Sequence, residues 1–162
     1  MPDDPADTPH TGPADPPNLP DRTIWDPEVE ELDEAECWSL IRTGGVARLA
    51  YSGQFGETVL PIIYKVRDGS LVFRVAVGTA TDEDLRTGIE GAEYRVAIEI
   101  DEVSEDVQEG WFVLVQGDAH NVDSAEELAA AGWPVRPRPG APREHLVRIT
   151  PTGFMGRRLR RH

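Results

Sequence analysis

The residues best suited to binding chemistry lie between Arg74 and Thr81, in the sequence RVAVGTAT. Arg74 is the one charge inside an apolar run, and a guanidinium there must face water, a carboxylate or a bound anion. Gly78 and Thr79 supply backbone and hydroxyl donors just before a predicted helix start, where the helix dipole favours an anion. Thr81 adds a second hydroxyl, so the segment is a candidate phosphate site.

The same segment also has a purely structural interpretation. Arg74 could pair with a carboxylate of the domain itself, such as Glu99 or Asp82. Asp82, Glu83 and Asp84 crowd the first turn of the predicted helix, where they already use its dipole and would repel a phosphate. From the residues alone, an anion site and an internal ion pair are equally supported.

The elements that must position this segment are predicted to be strands. Residues 58–66 and 71–77 are rich in β-branched side chains, and Asp68-Gly69 between them is typical of a two-residue hairpin turn. Four more strands are expected at 46–51, 94–101, 110–122 and 144–150, the third of these bent at Gly117. Short helices are expected after capping residues Asp33, Thr81 and Ser124. The sequence therefore predicts a mainly β (α+β) fold, a six-stranded antiparallel barrel with short peripheral helices.

Charge and composition narrow the classes of function. The net charge of −14 argues against a nucleic-acid-binding surface. The arginines near the C-terminus are interpreted as neutralising the domain's own carboxylates or contacting a partner subunit; they are Arg157, Arg158, Arg160 and Arg161. We therefore expect no nucleic-acid partner.

Several other features bear on domain organisation and location. Residues 1–27 are rich in Pro and Asp and are predicted to be a disordered tail, leaving 28–162 as the domain. Cys37 is the only cysteine, which excludes an internal disulfide and fits a reducing compartment. No apolar run approaches the roughly 20 residues of a membrane span, and no His or Cys has metal-ligand spacing. We expect a cytoplasmic protein without a metal.

The order of these motifs resembles the pyridoxamine 5′-phosphate oxidase-like family, and more narrowly its short flavin-nucleotide-binding members related to nitroimidazole-resistance proteins. The resemblance covers residues 32–159 and rests on the segments GGVARLAY, VLPIIYKV-RDGS-LVFRVAVGT, YRVAIEID, GWFVLVQGDAHNV and HLVRITPTGFMGRRL. It implies a split β-barrel that forms a homodimer, with flavin mononucleotide (FMN) at the subunit interface. Some relatives use a deazaflavin instead, and some bind haem.

The resemblance also implies which residues contact the cofactor. Arg74 and Gly78-Thr79 match the family's phosphate-binding pattern, but Val75 replaces a hydroxyl residue and Ala80 replaces a lysine. The missing lysine removes a charge-assisted contact worth about 1.5–3 kcal/mol, which predicts phosphate binding weaker by roughly 10–100-fold. Ile63 replaces an asparagine, and His145 replaces a tryptophan. The residues implied to contact the cofactor are Pro61, Ile62, Ile63, Tyr64, Arg74, Val75, Gly78, Thr79, Thr81, Trp111 and His145.

Two functional hypotheses follow. The first is an FMN- or deazaflavin-dependent oxidoreductase-like dimer that transfers a hydride or electrons to a small molecule. No side chain stands out as an acid–base catalyst, so catalytic residues are left unassigned. The alternative is a non-catalytic split-barrel dimer that has lost FMN and binds a deazaflavin, a haem with His145 as ligand, or a partner protein.

Overall fold

The computed structural model describes residues 28–86, 94–104, 109–122 and 143–160. The predicted tail at 1–27 and the predicted helix after Ser124 lie outside these residues. The elements, in chain order, are β1 (Glu28–Leu32), α1 (Glu34–Ile41), β2 (Gly45–Gly53), β3 (Gly56–Arg67), β4 (Ser70–Ala76), α2 (Ala80–Leu85), β5 (Tyr94–Ser104), β6 (Glu109–Val122) and β7 (Glu144–Arg160).

The strands form one antiparallel sheet in the order β1-β7-β4-β3-β2-β5-β6. A further pairing between β6 and β7 closes six of these strands into a ring. These six are the strands predicted from the sequence, so the mainly β barrel is confirmed. Closure removes the exposed strand edges that an open sheet would leave.

Two predictions about the strands were wrong. The prediction of six strands missed β1. This strand pairs with β7 outside the ring, from Glu28 opposite Arg160 to Leu32 opposite Gly156. The last strand does not end at Thr150, because β7 continues to Arg160. Both missed segments are rich in like charges, which in isolation favour solvated, irregular chain.

The charges of these two segments cancel across the β1–β7 pairing. Arg158 Nη1 lies 3.3 Å from a carboxylate oxygen of Glu30, and Arg157 Nη2 lies 3.0 Å from one of Glu31. Arg160 Nη2 also approaches Glu30, at 2.9 Å. These contacts confirm that the C-terminal arginines of the described chain neutralise the domain's own carboxylates.

The turns and caps follow local sequence signals, with one exception. Asp68 (φ 47°) and Gly69 (φ 69°) form the predicted hairpin turn with two left-handed residues. Asp33 caps α1 in a complete capping box with Glu36. The predicted cap of α2 at Thr81 was wrong, because Thr79 is the residue with extended backbone whose hydroxyl accepts the N–H of Asp82.

The barrel interior is filled by the alternate residues of each strand. Tyr64 and Phe73 are among its largest fully buried side chains. In β5, Val96, Ile98 and Ile100 face inward as the period-two pattern predicted. The predicted bend in β6 is confirmed by a register shift between Gln116 and Gly117.

Candidate functional site

The turn between β4 and α2 is organised around the carboxylate of Asp82. This side chain is buried; its Oδ2 accepts the Gly78 N–H at 2.9 Å and the Arg86 Nη2 at 2.7 Å. Gly78 has a φ of 80°, a backbone conformation that favours glycine. Burial acts to raise the pKa of Asp82, but the hydrogen bonds from Gly78 and Arg86 and the nearby positive charge outweigh it and lower the pKa. Asp82 is therefore ionised at neutral pH.

His145 lies on the other side of the same carboxylate. Its buried Nδ1 is 3.5 Å from Asp82 Oδ1, and it makes no hydrogen bond there. His145 therefore lies beside the carboxylate without a hydrogen bond from this nitrogen. The β4–β7 register places Val75 opposite His145, so the predicted pocket residue His145 does lie beside the Gly78–Asp82 turn.

The hydroxyls of the two predicted phosphate-binding threonines have partners within the protein. Thr79 Oγ1 donates to the carbonyl of Ala76 at 2.8 Å and accepts the N–H of Asp82 at 3.2 Å. Thr81 Oγ1 is 3.1 Å from the hydroxyl of Tyr51. Thr79 therefore stabilises the turn and the start of α2, whereas Thr81 links α2 to β2.

Arg74 makes an internal ion pair, but with neither of the acids that the sequence suggested. Its Nη1 lies 2.8 Å from a carboxylate oxygen of Glu144. The register pairs Arg74 with Leu146 and Ala76 with Glu144, so Arg74 and Glu144 are diagonal neighbours on one face of the sheet. Glu99 pairs with Arg48 instead.

The predicted cofactor residues of β3 point in two directions, because side chains alternate along a strand. Pro61 and Ile63 are exposed, whereas Ile62 and Tyr64 are buried in the core, as is Val75 of β4. Ile62, Tyr64 and Val75 therefore present only their backbone atoms to the outer surface of the barrel. Tyr64 and Phe73 are paired across β3 and β4, so Ile63 and Arg74 are the next residues along these two strands.

Tyr64 has a structural role that the sequence did not reveal. Its hydroxyl donates to the carbonyl of Ile41 at 2.9 Å, which ties β3 to the end of α1. Burial raises the pKa of Tyr64 to about 12. The folded protein therefore favours the neutral phenol.

This shift predicts a specific loss of stability in alkali. The contribution of Tyr64 is fully present below the pKa of an unfolded tyrosine, near 10, and is lost as pH rises through about 12. We expect the unfolding free energy to fall by about 2–3 kcal/mol over this range for this reason. Urea unfolding of the wild type and Tyr64→Phe at several pH values measures the difference. A variant with the same alkaline fall as the wild type would contradict the assignment.

Sequence reasoning missed an exposed apolar surface on the barrel, the β2–β3 outer face, formed by Val46, Arg48, Val59, Pro61 and Ile63. Val46, Val59 and Ile63 are each 66% exposed. Val46 is paired with Ile63, and Arg48 with Pro61. The available signal was that β3 carries apolar residues at both odd and even positions, so one set had to face outward.

A charge cluster borders the β2–β3 outer face. Arg48 Nη1 lies 2.9 Å from Glu99 and also contacts Asp101. Burial raises the pKa of Glu99, and the neighbouring Asp101 adds to this effect against the opposing influence of Arg48. The cluster places one cation between two acids beside the apolar residues.

Trp111 lies far from the other predicted site residues within the chain. In the β6–β7 ladder Trp111 is opposite Arg158, whereas Val122, at the other end of β6, is opposite Leu146 next to His145. Trp111 lines an open groove of about 670 Å³ together with Glu102, Glu109 and Arg158. One chain therefore does not bring Trp111 and His145 into the same pocket.

The described part of the chain contains neither a cluster of metal-ligating side chains nor a helix able to span a membrane. Among these residues, no three His, Cys, Asp or Glu side chains lie close enough together to hold a metal ion. Neither α1 nor α2 is long and apolar enough to cross a membrane.

Residues 33–158 match the family model described as pyridoxamine 5′-phosphate oxidase. The chain belongs to the pyridoxamine 5′-phosphate oxidase-like family. This membership confirms the resemblance seen in the sequence. No curated protein is significantly similar to the chain.

Several solved structures share the fold of this chain. A FAD-binding protein from Mycobacterium smegmatis has 29% sequence identity and a TM-score of 0.63, over 80% of this chain and 97% of that chain. A FAD-binding protein from Mesorhizobium loti has 22% identity and a TM-score of 0.61, over 80% and 97%. A candidate 5-nitroimidazole antibiotic resistance protein from Bacteroides thetaiotaomicron has 12% identity and a TM-score of 0.60, over 80% and 87%. These likenesses identify the ring of six strands as the split barrel of the family.

Proposed function

We propose that this protein is a cytoplasmic, flavin-binding, oxidoreductase-like homodimer, with the flavin ring held over the β2–β3 outer face. The observation that carries the proposal is the exposed apolar surface of Pro61 and Ile63, immediately beside the strand that bears Arg74. Family membership and the FAD-binding relative from M. smegmatis, at 29% identity, support it. A bound flavin would supply hydride or electron transfer to a small molecule.

The ring end of a flavin suits this surface. Ligand sites are mostly apolar, with a few polar groups that set orientation. Pro61 and Ile63 offer apolar side chains, and the backbone of β3 offers peptide groups where Ile62 and Tyr64 turn inward. These residues would bind and orient the ring and exclude water from one of its faces.

The phosphate end of FMN does not suit the turn predicted to hold it. The Gly78 N–H, the Thr79 hydroxyl and Arg74 all contact acceptors within the protein. The proposal is therefore for recognition of the flavin ring system, which FMN, FAD and riboflavin share and which a deazaflavin resembles.

The β2–β3 outer face is also the proposed dimer surface. A two-fold interface buries the same patch of both subunits, so the patch must be self-complementary. The exposed valines and Ile63 supply apolar contact, and Arg48 is already neutralised by Glu99 and Asp101. Pairing the face with its own copy would therefore bury apolar surface without leaving the Arg48 cation unpaired.

The absorbance spectrum of the full chain, purified without added cofactor, tests the proposed function. We expect a flavin spectrum, with the chromophore released on denaturation and identified by its mass. A Soret band instead would favour the haem-binding alternative. A colourless protein that binds neither flavin nor deazaflavin would contradict the proposal and favour the non-catalytic dimer.

A further inference from the structure

We propose that the carboxylate of Asp82 is the anion bound by the β4–α2 turn and that it prevents a phosphate from binding there. The flavin ligand is therefore recognised without a terminal phosphate monoester. The statement about the flavin ligand rests on the proposed function. The exclusion of phosphate by Asp82 rests only on the geometry of the turn, so the two can fail separately.

The buried carboxylate of Asp82 already accepts the hydrogen bonds that a phosphate in this turn would need. Gly78 is the left-handed residue of the turn, and its N–H points at Asp82 Oδ2 at 2.9 Å. Arg86 reaches the same oxygen at 2.7 Å from one helical turn away. His145 approaches the other oxygen, Oδ1, at 3.5 Å. An N–H, a guanidinium and an imidazole thus surround an anion that belongs to the chain itself.

The other predicted phosphate ligands are engaged in the same way. Thr79 uses its hydroxyl both as donor to Ala76 and as acceptor from the Asp82 N–H. Arg74 is paired with Glu144 at 2.8 Å. A phosphate would have to break these contacts without a lysine at position 80 to compensate, because Ala80 is there.

The net charge of the turn opposes a second anion. A phosphate monoester carries about −1.5 to −2 charges at neutral pH. It would approach Asp82, held ionised by its donors, and also Glu83, which is exposed in the same helical turn. Like charges this close disfavour each other, so the turn offers the phosphate of FMN no net attraction.

Asp82 is therefore a specificity-determining residue. Riboflavin has no phosphate, and the two phosphates of FAD are joined in an internal diphosphate, so neither requires a site for a terminal monoester. We expect the wild type to bind FMN and riboflavin with affinities within about threefold of each other, a difference of less than 1 kcal/mol. Removal of the Asp82 charge is expected to favour FMN over riboflavin by about tenfold.

The direct test is an NMR titration of the ¹⁵N-labelled full chain with inorganic phosphate, following the Gly78 amide. In the wild type we expect no saturable shift beyond that of chloride at equal ionic strength. In Asp82→Asn the Gly78 amide should respond saturably. Asp84→Asn removes the same charge two residues along the helix and should behave as the wild type. The variants' spectra also report whether each is folded.

Two results would overturn the inference: a saturable phosphate response of Gly78 in the wild type, or FMN bound more than about 30-fold tighter than riboflavin. Both are measured on the wild type, so they decide the matter even if Asp82→Asn does not fold. If no flavin binds at all, the proposed function fails. A Gly78 amide whose signal does not respond to phosphate would still support the exclusion of phosphate from the turn.

Discussion

Val46→Asp is expected to weaken dimerisation by at least about 100-fold, because an unpaired buried charge in an interface costs several kcal/mol. Val46 is paired with Ile63 on the β2–β3 outer face, and both are highly exposed in the single chain. The two-fold arrangement places the new carboxylate in the interface twice. Neither side chain fills the core, so the monomer should remain folded.

Analytical ultracentrifugation over a range of protein concentrations measures this effect. Val29→Asp is the matched control, since Val29 is a partly exposed valine on β1, which lies outside the ring. It should leave the dimer intact. Dissociation of both variants to the same extent, or of neither, would contradict the assignment of the β2–β3 outer face as the dimer surface.

The second large effect is expected at Gly156, where β7 pairs with β1 and packs against α1. A Cβ added there would contact Cys37 Sγ and lie 2.9 Å from Leu32 Cβ. Both neighbours are buried, so the helix and the edge strand would have to move. Gly156→Ala should lower the unfolding free energy by about 1–3 kcal/mol.

Urea unfolding provides the measurement for Gly156, and the same strand provides its control. A Cβ at Gly153 would meet only Gln116 Oε1, at 3.8 Å, which is ordinary contact. Gly153→Ala should therefore change the unfolding free energy much less than Gly156→Ala. Equal effects would mean that the close packing of α1 on β7 does not determine the cost.

Local patterns in the sequence were enough to predict the barrel. Alternation of apolar residues located the strands of the ring, and Asp68-Gly69 located a turn that only left-handed residues can form. β1 was missed because its glutamates are stabilised by arginines more than 120 residues away, as in the Glu30–Arg158 pair. A pattern confined to one segment cannot show such a partner.

The site was predicted less completely than the fold, for a related reason. The sequence predicted that Arg74, Gly78 and Thr79 belong to one site. In the structure they do lie close together, at the end of β4 and in the turn before α2. It could not show which acceptors they use, because the partner of Arg74 depends on the register of β4 against β7. Asp82 was expected either to pair with Arg74 or to repel a phosphate, whereas it accepts hydrogen bonds from Gly78 and Arg86.

The β2–β3 outer face shows the same limit. A strand with apolar residues on both faces is predicted to be covered on both sides, but the sequence does not identify the covering surface. In the barrel, the inner set with Ile62 and Tyr64 fills the core, which leaves Pro61 and Ile63 outside. That outward pair is where the flavin ring and the partner subunit are proposed to meet.

The most direct test of this account is a fluorescence titration of riboflavin with the purified full chain, in the wild type and in Ile63→Asp. We predict saturable binding of micromolar order or tighter by the wild type, with one flavin per protomer. Ile63→Asp should weaken it at least about tenfold, since the apolar contact is replaced by a charge. Absence of saturable binding by the wild type to riboflavin, FMN and FAD alike would contradict the proposal that this barrel holds a flavin.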